Sequence, residues 1–123
     1  MEVRLADCAG FCFGVKRAVD TVYEQLKNGK TIYTYGPIVH NEEVVRELSE
    51  KGVRVLENKE ELKHLKAGEN IHTVIIRAHG VAKEIYDIME ANGLECIDAT
   101  CPFVKKIHRI VELKSNEGYH VIL

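Results

Sequence analysis

Four cysteines are the most chemically informative residues of this 123-residue chain. An even number could form two disulfides, but a chain of this size can bury enough core without them, and its start does not resemble an export signal. We therefore expect reduced thiols, available for metal or cluster binding, for nucleophilic chemistry or for burial. They are Cys8, Cys12, Cys96 and Cys101.

Two of these cysteines immediately precede segments with a helical pattern. Cys12 lies between Gly10 and Gly14, and Cys101 is followed by Pro102, which suits the first position of a helix. A helix N-terminus stabilises a thiolate, and glycine neighbours let a bulky cofactor approach. Cys12 and Cys101 are thus candidate ligands of a soft metal, the alternative being that each is a small core residue.

The other two cysteines are weaker candidates. Cys96 falls within an apolar strand pattern, which predicts a buried core residue. Cys8 precedes Cys12 with the spacing of half a zinc knuckle, but no matching pair of comparable spacing occurs elsewhere. The role of Cys8 stays open.

Two histidines lie in loops rich in glycine and proline. His40 ends the segment GPIVH, and His79 occupies the segment RAHGV. Such loops can present an imidazole at the surface of a cleft, although a histidine can also simply cap a helix or fill a loop. We assign no role to the other four, His64, His72, His108 and His120.

Short β-type runs alternate with amphipathic helical segments along the whole chain. Strands are predicted at residues 3–6, 31–35, 53–56, 74–76, 96–97 and 119–123. Helices are predicted between them, at residues 15–26, 41–51, 58–65, 85–92 and from 102 onward, the last with an apolar face of Val104, Ile107, Ile110 and Val111. The pattern predicts an α/β fold with a mainly parallel sheet and helices on both faces.

This architecture would bring the candidate residues together. Ligands of parallel α/β sheets bind at the carboxyl ends of the strands, where loops lead into helix N-termini. Cys12, His40, His79 and Cys101 each follow a predicted strand, so all four are expected at the same edge of the sheet.

Composition excludes several other classes of protein. Seventeen Lys and Arg against 19 Asp and Glu leave a net charge of -2, which provides no general attraction to nucleic acid. No apolar run approaches the ~20 residues of a membrane span, and we expect a cytoplasmic protein. The chain stops within an apolar run, at Val121 to Leu123, so we expect it to be cut from a longer sequence.

Four segments stand out in order along the chain: GFCFGVKRA at residues 10–18, GPIVHN at 36–41, RAHGV at 77–81 and DATCP at 98–102. Together they closely resemble the motifs of the LytB/IspH family of hydroxymethylbutenyl diphosphate reductases. Four ordered motifs are far more specific than one, and the resemblance covers essentially the whole chain.

The resemblance implies an enzyme, a 4-hydroxy-3-methylbut-2-enyl diphosphate reductase of the non-mevalonate isoprenoid pathway, with a [4Fe-4S] cluster. The reaction is a two-electron reductive dehydroxylation that gives isopentenyl and dimethylallyl diphosphates, with electrons from a ferredoxin or flavodoxin type donor. By motif, Cys12 and Cys101 correspond to two of three cluster ligands, and His40 and His79 to diphosphate-binding histidines. Cys8 and Cys96 match no family ligand.

The resemblance also implies three similar α/β units, of which this chain would hold the first, residues 1–100, and the start of the second, residues 101–123. The family's third cysteine, a further histidine and a glutamate proton donor belong to later segments, so the catalytic residues are unassigned here and the fragment is expected to be inactive alone. Two alternatives are a non-catalytic zinc module, with Cys12, His40, His79 and Cys101 as ligands, and an α/β anion-binding or interaction domain without metal.

Overall fold

The computed structural model describes residues 1–5, 10–66, 68 and 72–122. Helices and strands alternate through them in the order α1 (Phe13–Lys27), β1 (Thr31–Tyr35), α2 (Glu42–Glu50), β2 (Arg54–Leu56), α3 (Lys59–His64), β3 (His72–Ile76), α4 (Lys83–Ala91), β4 (Glu95–Asp98) and α5 (Pro102–Asn116). None of these helices is long and apolar enough to cross a membrane.

The strands form one parallel sheet in the order β2-β1-β3-β4. In the central pair, Thr31 is opposite His72 and Tyr35 is opposite Ile76. The strand order reverses between β1 and β3, because β1 leads outward to β2 and β3 leads outward to β4 on the other side. The loops that follow β1 and β3 therefore separate and leave a crevice at the carboxyl end of the sheet.

Helices cover both faces of the sheet, as the sequence predicts. Residues of α1 and α2 pack with Ile32 and Ile75 on one face, and residues of α3 and α4 pack with Tyr33 and Val74 on the other. Neighbouring residues of a strand point to opposite faces, so β1 and β3 are buried on both sides. Each fully buried aliphatic side chain contributes about 1.5–3 kcal/mol, which makes this pair the centre of the core.

Two helix starts follow from local sequence signals. The side chain of Asn41 accepts a hydrogen bond from the Val44 amide at 3.1 Å, and that of Asn58 accepts one from the Glu61 amide at 2.9 Å. Both bonds satisfy amides that have no partner within the helix. Asn41 and Asn58 are thus the N-caps of α2 and α3, and the starts of both helices agree with the predicted ranges.

Two predicted strands are wrong in the part of the chain that the structure describes. Val3 and Leu5 form no strand and are 82% and 87% exposed, while Ala6 lies outside the described residues. At the other end, Tyr119 to Ile122 form no strand either, and Ile122 is 94% exposed. An apolar run becomes a strand only beside another strand that pairs with its backbone, and neither segment has such a neighbour among the described residues.

The apolar face predicted for the last helix is present but mostly uncovered. Val104 packs against the core, whereas Ile107 and Ile110 are 48% and 49% exposed. Cys96 is likewise exposed, contrary to the predicted core position, because β4 is an edge strand. The division into units 1–100 and 101–123 stays a prediction.

Candidate functional site

The loops after β1 and β3 flank the crevice where the strand order reverses. Residues 36–41 connect β1 to α2 on one face, and residues 77–82 connect β3 to α4 on the other. In open parallel sheets, this reversal point is the preferred place for a ligand. Both predicted substrate-binding histidines lie in these two loops.

His40 and His79 are brought into contact across the crevice. Their ring centroids are 5.4 Å apart and the ring planes are inclined at 61°, an edge-to-face arrangement. Both residues are exposed. Two imidazoles at this spacing can donate hydrogen bonds to neighbouring oxygens of one anion.

The helix that follows His79 adds further donors. Ala82, the N-cap of α4, provides no side-chain hydrogen bond to the first turn. The first amides of α4 are therefore free to interact with an anion, which the helix dipole also favours. An anionic group held by the histidine pair would meet donors from both side chains and backbone.

Cys101 is fixed directly beside the His79 loop. Its amide donates a hydrogen bond to the carbonyl oxygen of Ala78 at 3.0 Å, and the residue is buried, with 8% exposed. Cys101 is also the N-cap of α5, with Pro102 in the first turn, as predicted. Two backbone bonds thus continue the pairing of β3 with β4, from the Ala99 amide to Ile76 and from the Cys101 amide to Ala78, and the second joins Cys101 to the histidine loop.

Cys12 starts the helix against which the Cys101 sulfur rests. Cys12 is the exposed N-cap of α1, and its carbonyl oxygen accepts from the Lys16 amide at 3.0 Å. Two residues further, a Cβ at Gly14 would lie 2.6 Å from the Cys101 sulfur. The structure therefore places Cys101 against the first turn of the helix that Cys12 begins.

Polar bonds hold the segment that leads to Cys101. Arg17 of α1 donates to the Thr100 carbonyl oxygen at 3.1 Å, and the Thr100 amide donates to an Asp98 carboxylate oxygen at 3.0 Å. Burial opposes ionisation of Asp98, but Lys105 at 2.8 Å and Thr100 outweigh it and lower the pKa of that carboxyl. A charged Asp98 thus ties β4 to α5.

The remaining cysteines are placed differently. Cys8 lies outside the described residues. Burial of the Cys96 thiol, with a smaller effect of Asp98, raises its pKa to about 11, although the residue as a whole is exposed at the sheet edge. The Cys96 thiol is therefore protonated near neutral pH and a poor ligand.

Three residues within the motifs, Gly14, Gly36 and Arg77, matter for reasons that sequence reasoning missed. Gly14 leaves room for the Cys101 sulfur, and Gly36, with a φ of +72°, leaves room for the guanidinium of Arg77. Glycine at these positions was visible in the sequence, but the atoms that approach it come from distant parts of the chain.

The zinc alternative receives no support from the arrangement. Within residues 1–5, 10–66, 68 and 72–122, no group of three or more His, Cys, Asp or Glu side chains is arranged to hold a metal ion. The expected tetrahedral set of Cys12, His40, His79 and Cys101 is therefore not formed there. The structure instead brings His40 into contact with His79, and it places the Cys101 sulfur against the start of α1.

Comparison with known proteins identifies the same family over the whole chain. The family model described as LytB protein matches residues 3–123. A 4-hydroxy-3-methylbut-2-enyl diphosphate reductase of Caldanaerobacter subterraneus is 50% identical over 125 residues, which include all of this chain and 42% of the relative. The reductase of that name from a Geobacter species is 46% identical and covers all of this chain and 41% of its own length.

Solved structures agree with this relationship. One, the (E)-4-hydroxy-3-methyl-but-2-enyl diphosphate reductase described as the terminal enzyme of the non-mevalonate pathway, has a TM-score of 0.76 and 43% identity over 95% of this chain and 40% of its own. A Plasmodium falciparum diphosphate reductase has a TM-score of 0.79 and 38% identity over 92% of this chain and 34% of its own. The chain spans less than half the length of these relatives.

Proposed function

This chain belongs to the LytB protein family, and from that premise we propose that it forms part of a 4-hydroxy-3-methylbut-2-enyl diphosphate reductase of non-mevalonate isoprenoid synthesis. One observation carries the proposal. The Cys101 amide is bonded to Ala78, the residue before His79, so a thiol and an imidazole pair share one end of the sheet. A cluster-dependent reductase acting on a diphosphate would use both, the thiolates to hold the cluster and the imidazoles to bind the anion.

The histidines bind the diphosphate. A protonated imidazole forms charge-assisted hydrogen bonds with phosphate oxygens, and the free amides at the start of α4 add neutral donors. A net charge of -2 provides no general attraction for an anion, so binding depends on these local donors. His40 and His79 thereby orient the substrate from its charged end.

The thiols of Cys12 and Cys101 fit a [4Fe-4S] cluster. Such clusters are held by thiolates, and the missing side chain at Gly14 lets the Cys101 sulfur lie against the helix that begins at Cys12. The third cysteine ligand of the cluster would come from a segment outside the four motifs. When bound, the cluster supplies electrons and a Lewis-acidic iron for removal of the hydroxyl group.

The overall reaction is balanced by two electrons and two protons. The carbon–oxygen bond of the allylic hydroxyl group breaks, the oxygen leaves as water, and the carbon skeleton is released as isopentenyl or dimethylallyl diphosphate. A ferredoxin or flavodoxin type protein supplies the electrons, in the cytoplasm. The residues of this chain orient the substrate and hold the cluster, whereas the proton donor lies in another segment.

The test uses the complete gene product, reconstituted anaerobically with iron and sulfide. Optical and EPR spectra report the cluster, and turnover is measured with a reduced donor. We expect His40→Phe and His79→Phe to lower kcat/KM by about tenfold or more, the value of a charge-assisted hydrogen bond, with unchanged iron content. His64→Phe, an exposed change on α3, is the control.

Two results would contradict the proposal. A wild-type protein that carries a cluster but does not reduce the diphosphate would exclude the activity. Loss of the cluster in histidine variants that still fold would instead favour a metal site made of cysteines and histidines.

A further inference from the structure

Arg77 contacts both of the loops that carry the histidines. Its carbonyl oxygen accepts a hydrogen bond from the Gly80 amide at 3.0 Å, which closes the turn around His79. Its side chain extends to the other loop, where the Nη1 atom lies 2.9 Å from the position that a Cβ of Gly36 would occupy. Arg77 and Gly36 directly follow the paired residues Ile76 and Tyr35, so one residue contacts both loops at their starts.

The contact at Gly36 is connected to His40 by a firmly held stretch of chain. Gly36 has a φ of +72°, and its amide donates to the Leu56 carbonyl oxygen at 2.8 Å. Ile38 and Val39, which lead to His40, are 2% and 5% exposed. Because these side chains are packed in the core, a shift at Gly36 is passed along the loop to His40.

Hydrogen bonds and ion pairs among the described residues do not account for the position of the Arg77 guanidinium. Its Nε atom is buried without a hydrogen-bond partner, and no ion pair involving Arg77 occurs in the described part of the chain. The group lines a cavity of about 590 Å³ together with Gly36, Pro37 and Glu57. A buried donor without a partner reduces stability and calls for another explanation, such as a role at a functional site.

We propose that Arg77 is a positioning residue whose guanidinium, packed on Gly36, sets the spacing between His40 and His79. The proposal rests on the proposed function, in which these two rings bind one diphosphate. With the guanidinium present, its Nη1 atom lies against Gly36 and fixes where the loop to His40 begins, and the rings stay at the observed 5.4 Å. Without it, the loop relaxes into the vacated space and His40 moves relative to His79.

The experiment uses the complete, cluster-loaded gene product and inorganic pyrophosphate as the probe. Dissociation constants are measured by calorimetry for Arg77→Leu, Arg77→Lys, His40→Asn and the double variant Arg77→Leu/His40→Asn. Arg54→Leu is the matched control, since it removes an exposed arginine from the same sheet. Melting curves and iron content verify that each variant is folded and loaded.

Arg77→Leu is expected to weaken pyrophosphate binding about tenfold, because a displaced His40 ring loses much of one charge-assisted hydrogen bond to the anion. Arg77→Lys should restore part of the loss because it fills much of the same space. The double variant should bind no more weakly than His40→Asn alone, since Arg77 acts through His40. Substrate KM should rise more than kcat falls.

Three outcomes distinguish a failure of the role proposed for Arg77 from a failure of the proposed function. If His40→Asn does not weaken pyrophosphate binding, the substrate-binding role of His40 is wrong. If His40→Asn weakens it but Arg77→Leu behaves like Arg54→Leu, only the role of Arg77 is refuted. Additive losses in the double variant would also refute it, because they indicate that Arg77 acts independently of His40. If Arg77→Leu does not fold, Arg77→Lys takes its place, with a smaller expected loss.

Discussion

The sulfur of Cys101 lies against Gly14, so closely that a Cβ at position 14 would be 2.6 Å from it. Real side chains do not approach to that distance, so either Cys101 or the first turn of α1 must move when residue 14 is larger than glycine. This contact connects the two candidate cluster ligands, because α1 begins directly after Cys12.

Gly14→Ala is therefore expected to disturb the thiol pair. Overpacking of this kind costs about 1–3 kcal/mol, and the displaced sulfur should lower the iron and sulfide content after anaerobic reconstitution. Gly68→Ala is the control, since among the described residues no heavy atom lies within 4 Å of the position its Cβ would take. Equal cluster content in both variants would show that the contact at Gly14 has no role in ligand placement.

Asp98→Asn should reduce stability in a pH-dependent manner. The pKa of Asp98 is lowered in the folded protein, because its bonds to Lys105 and Thr100 outweigh burial, so its contribution is complete above the unfolded pKa of about 4 and is lost as pH falls through the folded pKa. We expect a loss of about 1 kcal/mol at pH 7 that shrinks below pH 4. Melting temperatures of the metal-free protein at several pH values measure it.

Asp87→Asn is the matched control for this prediction. Asp87 is exposed on α4, and its carboxylate makes no hydrogen bond or ion pair among the described residues. Its replacement should leave the melting temperature nearly unchanged at every pH. A pH-independent loss in Asp98→Asn would contradict the assigned role of its charge.

Cys96→Ser should leave cluster content and activity unchanged. The pKa of Cys96 is raised to about 11 by burial and by Asp98, so near neutral pH the thiol is protonated and reacts slowly with alkylating reagents. Iodoacetamide labelling of the metal-free protein, followed by peptide mass analysis, should modify Cys12 before Cys96. Faster labelling of Cys96 than of Cys12 would contradict this environment for the thiol.

Residues 1–123 expressed alone should hold a cluster poorly and fail to reduce the substrate. A cubane needs more thiolates than Cys12 and Cys101 supply, and the expected proton donor belongs to another segment. Iron analysis and turnover assays on this fragment, beside the complete gene product, measure both properties. Sustained reduction by the fragment would overturn the expected dependence on additional segments.

Local signals in the sequence were sufficient for most of the elements and for placing His40 and His79 at one end of the sheet, whereas Cys12 was expected after a first strand that the described residues do not form. Asn41 and Asn58 cap helices through bonds to residues three positions away, so these helix starts can be predicted from the local sequence alone. The apolar run at residues 74–76 predicted the strand β3, which the structure shows to be buried on both faces. Alternation of strands and helices then implied a parallel sheet with His40 and His79 at one end.

Only the tertiary structure decided which apolar runs are covered and which distant residues meet. Val3 to Leu5 have a strand pattern but no paired neighbour among the described residues, and Cys96 is exposed because its strand is at the edge. The contacts of Gly14 with Cys101 and of Gly36 with Arg77 join residues far apart in the chain. Propensity and periodicity act over a few residues, whereas such contacts depend on strand order and on the packing of helices against the sheet.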